Sequence, residues 1–377
     1  PHILVESDLE TIPMEWEQVD LPDDFGFAKV IDNHIFAATG GEIVRIETDL
    51  QTTETITVPG RVGRFDVAGD TIIVAPEPNW DTGCSEPETP TVVISYDGGD
   101  TWSDVVLPGD QQVGRFTLPR NATVATNEDT TLIATDVWPW PEGCLVVLAG
   151  IESDAYVGQI TDDGVVFELF KGGTEVLAWS EMDLTDVEIA YLREATSGQA
   201  PPEATPIYRV DGTTALETSS VGRVVWSTGG RFAVFDWASG PPSSVRVSDD
   251  AAEWETINVS QNSWFSNSLH RGTGDGVEYS LDGGRSWTEV PRPPRSFEVT
   301  GYVELDGLTV ANRGSTPSVS SQTSLLAFDH ESGEWFDLAP PDAGSSTFSR
   351  VLGIVDQRIV VEAWGNFGPR LFVGRPV

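Results

Sequence analysis

Two stretches of the chain, "SYDGGDTWSDV" at residues 95–105 and "SLDGGRSWTEV" at residues 280–290, share the spacing Ser-x-Asp-x-Gly-x-(Thr/Ser)-Trp. Strand-like segments flank both, so each reads as the turn of a β-hairpin. Every residue type has a mechanical task there. Ser95 and Ser280 open the pattern, and the carboxylates of Asp97 and Asp282 accept hydrogen bonds from the turn's own backbone N–H groups. Gly99 and Gly284 take the positive φ that a Cβ would oppose, and Trp102 and Trp287 start the next strand with a large apolar anchor.

The rest of the chain supplies sheets for such hairpins. Short apolar runs alternate with Gly, Asp, Asn and Pro, as in "RFDVAGDTIIVAPE", "TTLIATD", "RFAVFDW" and "RIVVEAW". No sustained 3.6-residue periodicity interrupts them. The nearest approach, "EMDLTDVEIAYLREA", contains a Val-Glu-Ile-Ala-Tyr alternation that suits a strand equally well. The expected fold is all-β.

Both motifs match, at each defining position, the Asp-box or BNR repeat, so the chain resembles the sialidase-like β-propellers. That resemblance implies four-stranded antiparallel blades, with the box at the turn between the third and fourth strands, on the face away from the ligand site. The boxes are then structural. Weaker copies, "SDDAAEWETI" at 248–257 and "DHESGEWFDL" at 329–338, keep Trp254 and Trp335. Outer-strand signatures fall near 53–58, 102–108, 165–170, 213–218, 254–259, 287–291 and 335–340, and an eighth is "MEWEQVDLP" near the N-terminus.

That last segment has no first three strands of its own, while the C-terminal "SRVLGIVDQRIVVEAWGNFGPRLFVGRPV" supplies three strands and ends. The two ends are therefore expected to share one blade, with a strand at about 14–22 completing it and no edge left unpaired. The separation of the two boxes, 185 residues, makes four steps of about 46. The expectation is one domain over 1–377 with eight blades, seven being the alternative.

The formal charge is -39, and Lys29 and Lys171 are the only lysines among 21 basic residues, leaving 19 arginines. Such a surface repels nucleic acid and anionic lipid, and no apolar run reaches the roughly 18 residues of a membrane helix. The same excess of carboxylates serves as a solvated skin in a salty or extracellular medium. The chain begins "PHILVES", which suits a mature form after removal of an export signal, or a trimmed chain; an extracellular or cell-surface location is expected. Cys84 and Cys144 share the context Trp-x-x-Gly-Cys and read either as a disulfide between loops of adjacent blades or as two buried thiols. No C-x-x-C pair occurs and the four histidines are scattered, so neither a metal nor a cofactor is implied.

In a propeller the inner strands begin at the face opposite the boxes, the default binding face. Arg64 in "VGRFDV", Arg223 in "VGRVVW" and Arg350 in "FSRVLG" open inner strands at matched places, with Arg115 in "VGRFTL" a looser fourth. Together they form an anion site for a carboxylate or phosphate, or else pack between blades against acids such as Asp66. Sialidase-like enzymes hold their substrate carboxylate with three arginines, but the family's Phe/Tyr-Arg-Ile-Pro signature is absent. The nearest string, Val44-Arg45-Ile46-Glu47, lacks the proline.

Asp81, Glu142, Glu181 and Asp236 are the carboxylates available to a hydrolase, with no pair singled out and no tyrosine nucleophile placed. Trp138 and Trp140, in "DVWPWPEGC", read as loop aromatics able to stack on a sugar or a protein. The leading expectation is a non-enzymatic propeller binding a protein partner or acidic glycan through these upper loops. A sialidase-like glycoside hydrolase comes second. An assembly factor for a membrane complex, by resemblance to seven-bladed Asp-box propellers, comes third.

Overall fold

The computed structural model describes residues 9–22, 25–50, 53–76, 92–105, 123–126, 130–137, 152–161, 164–174, 178–184, 190–195, 207–208, 214–216, 223–228, 231–236, 244–250, 252–260, 268–293, 299–313, 325–339, 341, 348–365 and 368–377. Among them, strands group into eight sheets that follow one another along the chain. The first sheet is Phe25–Ile31, His34–Thr39, Glu42–Ile46 and Thr53–Thr57, and the second Val62–Ala68, Thr71–Pro76, Val93–Ser95 and Ser103–Asp104. The third is Thr123–Thr126, Thr130–Val137, Glu152–Thr161 and Gly164–Thr174, and the fourth Ala178–Leu184, Ala190–Ala195, Ile207–Tyr208 and Thr214–Leu216. The fifth is Arg223–Thr228, Arg231–Asp236, Ser244–Ser248 and Glu255–Asn258, and the sixth Leu269–Gly272, Gly276–Ser280 and Thr288–Pro291. The seventh is Val299–Leu305, Leu308–Arg313, Leu325–Asp329 and Glu334–Leu338. In the eighth, Phe348–Val355, Arg358–Gly365 and Gly368–Pro376 are joined by Met14–Gln18 from the other end of the chain.

Each sheet is an antiparallel meander of β-propeller type, and every outer-strand signature read from the sequence lies on the last strand of a sheet. The structure departs from the uniform four-stranded pattern twice. The sixth sheet has three strands among the described residues, and the seventh gains a fifth because Thr11–Ile12 pairs in parallel with Asp337 and Leu338. The N-terminal outer strand is also shorter than expected, ending at Gln18, though the Val19 N–H still reaches the Leu371 carbonyl at 3.0 Å.

Burial explains the strand pattern. Second strands such as His34–Thr39 are buried residue after residue, whereas the outer strand Thr53–Thr57 turns in Ile56 alone. Both faces of a sheet are covered by its neighbours, so inner positions need continuous apolar runs. Ile43 and Ile56 of the first sheet pack with Phe65, Ile72 and Val74 of the second. Val245 and Ile257 of the fifth meet Leu269 of the sixth, Tyr279 and Val290 of the sixth meet Tyr302 and Trp335 of the seventh, and Val310 and Leu325 of the seventh meet Ile359 and Val361 of the eighth. Val360, Leu371 and Val373 of the eighth share a core with Ile35, Val44 and Ile46 of the first.

Residues 9–19 stitch this last region from outside. Ile12, Met14 and Trp16 pack on the core between the seventh and eighth sheets, and Val19 belongs to the core between the eighth and the first. The Trp16 indole donates to the Ala339 carbonyl at 2.7 Å. Gly374 lies under the Trp16 ring, where a Cβ would overlap the indole.

At the junction of the sixth and seventh sheets, His270 is buried edge-on against Tyr302, with centroids 5.5 Å apart, and Tyr302 stacks on Tyr279 at 5.0 Å. Burial lowers the His270 pKa from 6.5 to about 4. A histidine kept neutral in the fold stabilises it above its unfolded pKa, and that stability is lost as the unfolded chain takes up a proton the folded chain refuses. The wild-type chain should therefore lose about 3 kcal/mol through this one group as pH falls from 6.5 to 4. Urea unfolding at stepped pH should show a shallower decline for His270→Phe across that window, and parallel profiles would refute the assignment.

Candidate functional site

The two ends of the sheets differ in what their polar groups do. At one end stand the turns between third and fourth strands. Ser95 Oγ accepts from the Gly99 N–H at 2.8 Å and donates to Asp97 Oδ1 at 2.8 Å. Asp97 in turn accepts from the Thr101 N–H at 2.9 Å and the Thr101 hydroxyl at 2.6 Å. The second box repeats this: Gly284 N–H to Ser280 Oγ at 2.7 Å, Ser280 Oγ to Asp282 at 2.8 Å, and Ser286 N–H and hydroxyl to Asp282 at 2.9 and 2.5 Å. The Thr101 hydroxyl and N–H hold Asp97 down at about 2. At Asp282 partial burial pushes upward, but the bonds from Ser286 and Ser280 prevail and hold it at about 2 as well.

Gly99 and Gly284 have φ of 102° and 90°. A Cβ on Gly99 would overlap Ile56, and one on Gly284 would overlap Ile257. Each box thus rests on the inward residue of the preceding sheet's outer strand, which makes it an inter-sheet spacer as well as a turn. The two weaker copies keep the carboxylate's task without the matching glycine. Asp250 accepts from the Ala252 and Glu253 N–H groups at 2.8 and 3.1 Å, and Asp329 from the Glu331 and Ser332 N–H groups at 2.9 and 3.3 Å.

The hairpins between first and second strands share this end. The Gly98 N–H reaches the Asp70 carbonyl at 2.9 Å, and the His330 N–H the Gly307 carbonyl at 3.2 Å. Hairpins of successive sheets also bond to one another: Asp306 N–H to Gln357 Oε1 and Asp356 N–H to Asn33 Oδ1, both at 3.1 Å. Arg231, with 8% of its side chain exposed, donates to the Gly283 carbonyl at 3.0 Å and pairs with Asp249 at 3.2 Å. Arg285 pairs with the same Asp249.

The arginines proposed for the opposite end are placed unequally by the strand register. Arg64 stands opposite Ala75, four pairs beyond the hairpin's closing pair Ala68–Thr71, and Arg350 opposite Glu362, also four pairs beyond Val355–Arg358. Arg223 stands opposite Asp236, five pairs beyond Thr228–Arg231. Two of the three therefore hold a register position opposite an acidic residue, and Glu362 is buried. Arg64 is exposed, with alanine as its cross-strand neighbour. Arg115, Trp138, Trp140, Cys84, Cys144, Asp81 and Glu142 lie outside the described residues.

Asp66, which the sequence offered as an arginine partner, is otherwise engaged. It accepts from Lys29 Nζ of the first sheet at 3.3 Å and from the Thr126 N–H of the third at 3.0 Å, so one carboxylate links three inner strands. Lys29 also donates to the Phe65 carbonyl at 2.7 Å. Ser268 Oγ likewise accepts from the Tyr302 N–H at 2.8 Å. Asp66 and Ser268 thus satisfy inner-edge N–H groups, and Lys29 an inner-edge carbonyl. The sequence reading missed them, although Lys29, one of only two lysines, was a signal.

A tyrosine–carboxylate pair does occur. The Tyr279 hydroxyl donates to Glu304 at 2.9 Å and meets Thr309 Oγ1 at 2.9 Å, which meets His330 at 2.8 Å. Burial pushes Tyr279 up to about 12, the reverse of what an attacking phenolate needs, and Tyr279 immediately precedes the box serine Ser280. The pair belongs to the packed box end.

No family model matches the chain, and no curated protein matches it. Solved structures to which it is similar include YCF48 bound to a D1 peptide, at 12% identity over 97% of each chain with a TM-score of 0.42. Others are a eukaryotic initiation factor, at 10% identity over 95% of this chain and 91% of that one with a TM-score of 0.47, and an oligogalacturonate lyase from Vibrio parahaemolyticus, at 9% identity over 98% of each with a TM-score of 0.45. With TM-scores below 0.5, no functional argument rests on them.

Gly284→Ala should cost about 1–3 kcal/mol, because it forces both a strained φ and an overlap with Ile257. Thermal unfolding of the single variant and of Gly284→Ala combined with Ile257→Ala checks this. The second substitution should cost less in the variant background than alone, and full additivity would show that the box does not bear on that strand.

Proposed function

We propose that residues 1–377 form a single eight-bladed β-propeller of the Asp-box type, closed by the pairing of Met14–Gln18 with Gly368–Pro376. Its action is that of a non-enzymatic binding protein outside the cell or at its surface. The shared core of the eighth and first sheets supports the ring, and the spacing of the two boxes supports the count.

The observation carrying the functional reading is the asymmetry of the two ends. At the box end, carboxylates and turn N–H groups are consumed by contacts within and between turns. On the inner strand of the second sheet, Arg64 presents an exposed guanidinium whose nearest strand acid, Asp66, is already bound to Lys29 and Thr126. The partner it fits carries carboxylates, as an acidic glycan or an acidic protein segment does.

Titration with a panel of sialosides, wild type against Arg64→Ala, tests the reading. Binding should weaken about tenfold in the variant, the loss of one charge-assisted hydrogen bond. Because the chain's charge of -39 opposes any anion, moderate inert salt should leave binding intact or improve it, screening the far field over about 8–10 Å. Turnover of a sialoside would establish the hydrolase instead, and affinity indifferent to Arg64→Ala would remove the site.

A further inference from the structure

The first sheet turns from its third to its fourth strand without an Asp-box. After Ile46 the chain reads Glu47-Thr48-Asp49-Leu50, the Leu50 N–H bonds the Glu47 carbonyl at 2.9 Å, and Leu50 has a φ of 60°. A bulky L-residue rarely adopts that left-handed conformation. Here it places a buried leucine in the core between the eighth and first sheets. The turn needs a brace, and it lacks the serine and aspartate that brace the boxes.

The brace is His34, which opens the second strand of the same sheet. Its Nδ1 lies 2.8 Å from the Asp32 carbonyl, which can only accept, so Nδ1 carries a hydrogen whether the ring is neutral or charged. Nε2 stands between two groups of opposite demand. Arg45 Nη2, which can only donate, is 3.2 Å away, and Glu47 Oε2, a carboxylate oxygen, is 3.1 Å away. A neutral ring offers Arg45 a lone pair. An imidazolium offers Glu47 a hydrogen and repels Arg45, so one proton decides which neighbour the ring engages. Bulk solvent supplies that proton, since 26% of the His34 side chain is exposed.

Arg45 keeps a carboxylate in either state. It pairs with Glu47 through Nε at 3.1 Å, and Glu54 of the fourth strand lies 3.9 Å from Nη1. Of the other ionisable side chains in the first sheet, Lys29 is engaged by Asp66 and Glu42 opens the third strand at its far end, which leaves Asp32 and Asp49. The adjoining hairpin of the eighth sheet adds Asp356 and Arg358. That hairpin is tied to this one next to His34, where the Asp356 N–H donates to Asn33 Oδ1.

We propose that His34 is a proton-operated latch at the core between the eighth and first sheets. Neutral, it accepts from Arg45; ionised, it donates to Glu47 and ties the turn carrying Leu50 to the first hairpin.

Nuclear magnetic resonance of the full chain, titrated from about pH 8 to about pH 5, tests the latch. The His34 ring nitrogens should report a hydrogen on Nδ1 throughout and on Nε2 only in acid. The Arg45 Nε–H and Leu50 methyl resonances should move with the same midpoint as the ring, a readout that needs no variant to fold. Glu47→Gln removes the acceptor and should move that midpoint down by about half a pH unit or more. Arg45→Gln removes the competing cation and should move it up by a similar amount, as unit charges about 4 Å apart in water require. His34→Gln should abolish the movement at Leu50. A hydrogen on Nε2 at the alkaline end, Arg45 and Leu50 resonances that stay still while the ring titrates, or midpoints that move the same way in both variants would overturn the proposal.

Discussion

The seam between residues 14–18 and 368–376 is the constraint on which the other contacts depend. Each sheet covers the faces of its neighbours, so a stack that did not return on itself would leave the first and eighth sheets each with one wet apolar face. The core between those two sheets includes Ile35, Val44, Ile46, Val360, Leu371 and Val373, all buried. At about 1.5–3 kcal/mol per side chain, exposing these six costs on the order of 10 kcal/mol. That is comparable to the whole stability of a typical domain, about 5–15 kcal/mol. The strap of residues 9–19 protects this region with main-chain pairing and with the Trp16 indole bond to Ala339.

Polar chemistry divides along the same axis. At the box end, Asp97, Asp282, Asp250 and Asp329 are turn caps, and Arg231 is a buried clamp between the fifth and sixth sheets. On the inner strands, Asp66 and Ser268 accept from edge N–H groups of the next sheet and Lys29 donates to the Phe65 carbonyl. This chain has few cations against its excess of acid, and Lys29, Arg231 and Arg285 each link neighbouring sheets. Arg64 stands out because the strand register gives it an alanine neighbour.

Much of the fold was legible in the sequence because turns are local. Ser95, Asp97, Gly99 and Thr101 make their bonds within a few residues of one another, so spacing alone disclosed the hairpin and its end of the sheet. Outer strands were legible through their inward anchors, such as Ile56 and Trp335. The arginine positions were less so, because bulges between Val62 and Arg64 and between Val351 and Gly353 alter the register in ways that similar strings such as "VGRFDV" and "VGRVVW" do not reveal. The parallel strand Thr11–Ile12 and the Lys29–Asp66–Thr126 bridge depend on partners tens to hundreds of residues away, and no local pattern encodes them.

Native-state hydrogen exchange on Trp16→Ala tests the seam most directly. If the strap holds the first and eighth sheets as one unit, the amides of Ile35, Val44, Val361 and Val373 should all lose protection together and by the same free energy, although Trp16 packs on the core of the seventh and eighth sheets and not on the first. Loss confined to residues 9–19, with the first sheet still fully protected, would contradict the proposed ring and the dependence of its first and eighth sheets on the strap.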